Sequence, residues 1–222
     1  MYSLFKKNPG SDSLNELKIH ALSQEVNTLK RDNATLSKEL DFLKNQFNSH
    51  ITFNFLNFCY SKVHKSSKHA AEAIETFADM LRYSSQLKPD EEVALKREID
   101  YIENFIRIQR CITEKVYCDF KYEGRIQQKV IVPFVLIKFV ENAFKYGEIN
   151  NELYPIQIHL MAETDSVIFE VKNKKNPVKP IDGLKANYQN IKQMLDVFYE
   201  ERLQLKIKET ELEYHSSLIL KI

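Results

Sequence analysis

His50 stands where a long apolar stripe turns polar. In the run LKNQFNSHITFNFLN (residues 43–57) Asn54 follows His50 by one helical turn, with Asn57 and Ser61 continuing the same polar stripe. Residues four apart share a helix face, so the Asn54 amide is placed to hold an imidazole ring, and a neutral imidazole nitrogen is a nucleophile near pH 7. The plain alternative is the solvated face of an amphipathic helix. A second group lies in PFVLIKFVENAFKYG (residues 133–147), where Glu141 and Asn142 interrupt an apolar helix and Lys145 follows. Such polar side chains destabilise the fold if buried without partners. They therefore mark either an exposed helix end or a site.

The element that leads to His50 is a heptad seam. Ile19, Val26, Asn33, Leu40 and Phe47 recur at one seam position and Leu22, Leu29, Leu36 and Leu43 at the other. This 3.5-residue spacing predicts a coiled coil over residues 14–48, after a loose tail at 1–13. Asn33 in the seam favours a parallel two-stranded assembly, and one such helix has nothing to bury its stripe against, so a homodimer is expected. Residues 49–114 stay helical, with breaks near Ser66-Ser67 and at Lys88-Pro89-Asp90. The second helix sets Ala71, Ile74, Phe77, Ala78 and Leu81 on one side, and the third does the same with Leu95, Ile99, Ile102, Phe105 and Ile106. Two such hairpins across a dimer axis make a four-helix bundle.

From about Lys115 the period changes to that of strands. VYCDFKYE alternates, Pro133 and Gly147 bracket the ENAFK helix, and IQIHLMAE with SVIFEVKN reads as a hairpin around Thr164-Asp165. A helix over 186–199 and two last strands complete residues 115–222. The fold class expected is α+β: a parallel coiled coil, a dimeric helical hairpin carrying His50, and an α/β sandwich with helices on one face of a mixed sheet.

Composition narrows the function. A formal charge of +1 over 222 residues argues against a broad basic surface, so no nucleic-acid partner is expected. The longest apolar run, VIVPFVLIKFV, contains Pro133 and Lys138 and is too short to span a bilayer. The start, MYSLFKKNPG, lacks the apolar core of a signal peptide. Cys59, Cys111 and Cys118 show no metal-ligand spacing and suit reduced thiols, so a cytoplasmic location is expected.

NSHITFNFLN resembles the Asn-Pro-His-Phe-Leu-Phe-Asn-x-Leu-Asn signature of LytS-like bacterial sensor histidine kinases. Asn48, His50, Phe53, Asn54, Leu56 and Asn57 match, and Ser49 replaces the proline. Leu81, Arg82, Tyr83 and Ser84 match the family's Leu-Arg-Tyr-Ser step, and Leu95, Glu98, Ile99, Tyr101, Ile102 and Phe105 match the helix after it. ENAFKYG is similar to the Glu-Asn-Ala-x-Lys-His-Gly box of the same kinases, with Tyr146 in place of His. The resemblance covers about residues 43–222. It implies phosphorylation of His50 by ATP, with Asn54 orienting the ring, and transfer to an aspartate in the receiver domain of a response regulator. It also implies that Asn142 coordinates Mg, that Glu141 and Lys145 lie near the phosphates, and that Asn173 and Asn190 complete the nucleotide site. An upstream sensor or membrane partner is left open.

The glycine loops of that family are missing. Glycine lets backbone approach phosphates closely, yet the chain has only Gly10, Gly124, Gly147 and Gly183. Aligning the family's Gly-x-Gly-Leu-x-Asn loop through Asn190 puts Lys185 and Asn187 at the glycine positions. Two readings follow: an ATP-dependent histidine kinase of a two-component system, and a degenerate member serving as a dimeric phosphotransfer protein or signalling scaffold without ATP.

Overall fold

The computed structural model describes residues 18–19, 21–32, 49–87, 91–178 and 182–222. The chain divides into two compact units, Met1–Asn54 and Phe55–Ile222. In the first, residues 21–32 are helical (α1), and Ile19, Leu22, Val26 and Leu29 are all exposed. Among the described residues nothing covers that stripe. The seam positions Asn33, Leu36, Leu40, Leu43 and Phe47 lie outside the described residues, as do residues 1–13 and the Lys88-Pro89-Asp90 break. Helix α2 (Ser49–Val63) runs across the division.

The second unit begins with a helical hairpin. A turn at residues 64–66 separates α2 from α3 (Lys68–Gln86), which Ser67 caps by accepting the Ala70 N–H at 3.2 Å. This satisfies one of the free donors at a helix start. Helix α4 (Leu95–Ile112) follows the two-residue strand β1 (Val93–Ala94), which pairs antiparallel with β3 (Val130–Ile131). On α3 the buried residues are Ala71, Thr76 and Met80, and Phe77 is exposed. The face expected to be apolar is therefore only partly covered in one chain.

Five strands form a mixed sheet: β2 (Cys118–Gly124), β4 (Ile156–Ala162), β5 (Ser166–Lys174), β6 (Leu203–Glu209) and β7 (Glu213–Lys221). Their spatial order is β2-β4-β5-β7-β6, with β2 and β4 parallel and the other pairs antiparallel. Strict alternation aims Val167, Phe169, Val171 and Asn173 of β5 and Tyr214, Ser216, Leu218 and Leu220 of β7 inward. Helices α5 (Val135–Tyr146) and α6 (Asp182–Tyr199) pack on that face. Phe139 of α5 meets Phe169 edge-on at 6.2 Å.

Helix α4 shares this core. Leu95, Ile99, Ile102 and Ile106 are buried in one cluster with the sheet and α5, and Phe105 meets Phe144 edge-on at 5.3 Å. Each fully buried aliphatic side chain contributes about 1.5–3 kcal/mol, so these side chains anchor α4 to the sandwich. Cys118 is buried too, and burial pushes its thiol pKa up to about 12, which makes it a structural rather than a reactive cysteine. Among the described residues no helix is long and apolar enough to cross a membrane.

Candidate phosphoacceptor helix and nucleotide-like site

The backbone of α2 is helical through His50, and Asn54, one turn on, is exposed. Further along, the Glu75 carboxylate of α3 raises the pKa of the Tyr60 phenol on α2, so the two helices of the hairpin meet through a polar pair.

On α5 the three residues of the second motif part company. Asn142 is 6% exposed and faces inward. Glu141 is half-exposed and pairs with Lys138 at 3.0 Å. Lys145 is exposed, its ammonium 4.9 Å from the Tyr146 ring centroid. The helix ends where Gly147 N–H reaches Ala143 O at 2.8 Å. A Cβ on Gly147 would lie 2.3 Å from that oxygen and 3.0 Å from Asn173 Nδ2, so only glycine fits between helix and strand. Asn173 is buried on β5, and its amide donates to the Lys174 carbonyl at 3.1 Å. Asn142 and Asn173 thus belong to the inner layer. Asn190 is exposed on α6.

The residue that the motifs did not single out is Tyr188. It is 5% exposed, stacks on Tyr214 at 5.2 Å and 28°, and tilts against Phe139 at 6.0 Å. Its hydroxyl meets the side chains of Tyr214, Ser216 and Asn142. Burial raises the Tyr188 phenol pKa, and hydrogen bonding to those neighbours pulls it back. A signal for it was present: the alignment through Asn190 that sets Lys185 and Asn187 against glycines sets Tyr188 against the family's leucine.

A second buried polar group ties α3, α4 and α5 together. Glu98 is fully buried, accepts a hydrogen bond from Tyr83 Oη at 2.8 Å, and faces the Phe134 backbone N–H. Phe134 caps α5 in the left-handed region, with φ 62° and ψ 9°. The rings of Tyr83, Tyr101 and Phe134 lie 5.3–5.7 Å apart. Among the described residues no group of three or more His, Cys, Asp or Glu side chains is placed to hold a metal ion.

Residues 38–116, which include His50, the hairpin and α4, match the family model described as histidine kinase. Over that stretch the chain is similar to histidine kinases. The sensor histidine kinase YpdA of Escherichia coli (strain K12) is 30% identical over 111 residues, 49% of this chain and 19% of that protein. The sensor protein kinase HptS of Staphylococcus aureus (strain USA300) is 28% identical over 163 residues, 72% of this chain and 28% of that protein. The chain spans less than a third of the length of these relatives. Among solved structures, the histidine kinase AdeS of Acinetobacter baumannii is similar with a TM-score of 0.43 and 11% identity, covering 69% of this chain and 77% of that one.

Mg-ATP, the nucleotide this family implies, does not fit the donor set as it stands. Among the described residues of the expected site, Asn142 and Asn173 carry amide oxygens, which suit a hard cation, inside the layer; the Asn173 amide is turned to the Lys174 carbonyl, and Asn142 is buried beside Tyr188. No pair of glycines is available to bring backbone N–H groups to the phosphates.

Proposed function

We propose that this chain is the transmitter part of a two-component signalling protein, in which His50 carries a phosphoryl group exchanged with an aspartate in the receiver domain of a response regulator. The observation that carries this reading is the family match across residues 38–116, which brackets His50 on a helix with Asn54 one turn away. In the exchange, the lone pair of the unprotonated ring nitrogen forms an N–P bond as the P–O bond to the aspartate breaks. The carboxylate leaves with that electron pair, and the other ring nitrogen keeps its proton. Phosphoryl transfer needs mainly positioning and charge neutralisation, which the imidazole and a receiver's own site would supply together.

The donor divides two versions of this function. The family resemblance favours ATP-dependent autophosphorylation. The contact between Tyr188 and Asn142 favours a phosphotransfer protein charged by a phosphorylated regulator. Incubation with labelled ATP, and separately with a phosphorylated receiver domain, tests both by acid-labile, base-stable label. Label from ATP supports the kinase, and label from the receiver alone supports the phosphotransfer protein. Label that survives His50→Gln, or none from either donor, overturns His50 as the acceptor.

A further inference from the structure

We propose that Tyr188 is a built-in occluder of the nucleotide-like site, a side chain that covers Asn142 and keeps the chain from binding Mg-nucleotide. The inference rests on reading α5 and its asparagine as that site. It turns on how Tyr188 is held. The ring is fixed on both sides, by the 5.2 Å stack on Tyr214 of β7 and the 6.0 Å contact with Phe139 of α5. Phe139 is one turn before Asn142 on α5, so the ring lies along the helix beside the asparagine. Its hydroxyl then meets Asn142 and Ser216 in a layer from which solvent is excluded. Ser216 is itself held by the Val171 carbonyl at 3.4 Å.

A metal ion on Asn142 would have to share the amide with the Tyr188 hydroxyl that already meets it. Admitting it requires the phenol to leave a buried polar cluster and give up its contacts with Tyr214 and Ser216. A leucine, which the alignment through Asn190 sets at this position, carries no hydroxyl to meet Asn142. The closure is therefore a property of one side chain. It acts in addition to the missing glycines, and it can be removed separately.

The test measures binding of a fluorescent ATP analogue, with and without Mg²⁺, to the full chain. The variants are wild type, Tyr188→Leu, Tyr188→Phe and Tyr188→Leu with Asn142→Ala. Wild type should bind weakly, and Tyr188→Leu should bind about tenfold tighter or more, a gain that needs Mg²⁺ and is lost with Asn142→Ala. Tyr188→Phe keeps the ring packing and loses only the hydroxyl, so it decides the matter if the leucine variant melts early: a Mg²⁺-dependent gain supports the proposal. Wild-type binding as tight as that of the variants, or no gain in any variant that retains its fold, overturns it. Label on His50 from a phosphorylated receiver, measured on the same preparations, reports separately on the phosphoacceptor reading, so failure of one is not failure of the other.

Discussion

The Tyr83 hydroxyl donates to Glu98 Oε1 at 2.8 Å, joining a hairpin helix to a carboxyl that no solvent reaches. Burial raises the Glu98 pKa, and the hydrogen bonds from Phe134 N–H and Tyr83 oppose the rise without cancelling it. A carboxyl whose folded pKa lies above its unfolded value of about 4.3 contributes stability that is full below that value and lost as pH rises through the folded pKa.

Glu98→Gln keeps an acceptor for Tyr83 without a charge. At pH 7 it should melt at or above the wild-type temperature, with the difference shrinking as pH falls to 5. Glu98→Ala should lose about 1–3 kcal/mol, because the part-buried Tyr83 hydroxyl is left without its partner. Thermal melts across that pH range check both. A Glu98→Gln variant less stable at pH 7 than at pH 5, relative to wild type, would mean that the ionised form is favoured.

Phe134 allows an inverted ranking of substitutions. Its φ of 62° costs a side-chain-bearing residue about 1–2 kcal/mol that glycine does not incur. Alanine and glycine both lose the edge contacts with Tyr83 and Tyr101. Phe134→Gly should therefore be more stable than Phe134→Ala by about 1 kcal/mol, as read by urea unfolding. Equal stabilities would show that this backbone relaxes once the ring is gone.

At Gly147 the conflict is one of space. A methyl there meets the Ala143 carbonyl and the Asn173 amide at once. Gly147→Ala should cost about 1–3 kcal/mol, and amide exchange should quicken first at the α5 C-terminus and the end of β5. A change within a few tenths of a kcal/mol would mean that the helix end shifts freely.

Much of this was legible in the residues, and the failures share a cause. The alternation in IQIHLMA and SVIFEVKN names both strands of the β4–β5 hairpin and the face each turns inward, because a period of two is a local property. Gly147 was readable as a helix stop for the same reason. Helix α5 begins at Val135, after a left-handed Phe134. A bulky residue in that region is improbable on local grounds, and the groups that surround it, Glu98, Tyr83 and Tyr101, lie more than thirty residues away in the chain. Tyr188 is similar: its helical period marks it as inward-facing, but only the fold brings it to Asn142.

The exposed apolar stripe of α1 predicts assembly. Ile19, Leu22, Val26 and Leu29 are uncovered, and on the hairpin Phe55, Phe58 and Phe77 are as well. Val26→Asp with Leu29→Asp should shift the chain from dimer toward monomer in sedimentation at micromolar concentration, while Asn33→Val should raise thermal stability and loosen the choice of oligomer. A wild-type monomer at that concentration would remove the basis for both.

Strand β7 lies between β5 and β6, although both precede it in the chain. Until it pairs, β5 offers an open edge beside the apolar side chains Val167, Phe169 and Val171, and β6 has no neighbour in the sheet. Open edges of this kind recruit strands from other molecules. Tyr188 likewise has no ring to stack on until Tyr214 arrives with β7. Pairing of β7 thus completes the sheet and supplies the ring that Tyr188 stacks on, so truncated chains lacking β7 would expose the β5 edge and leave that ring without its stack.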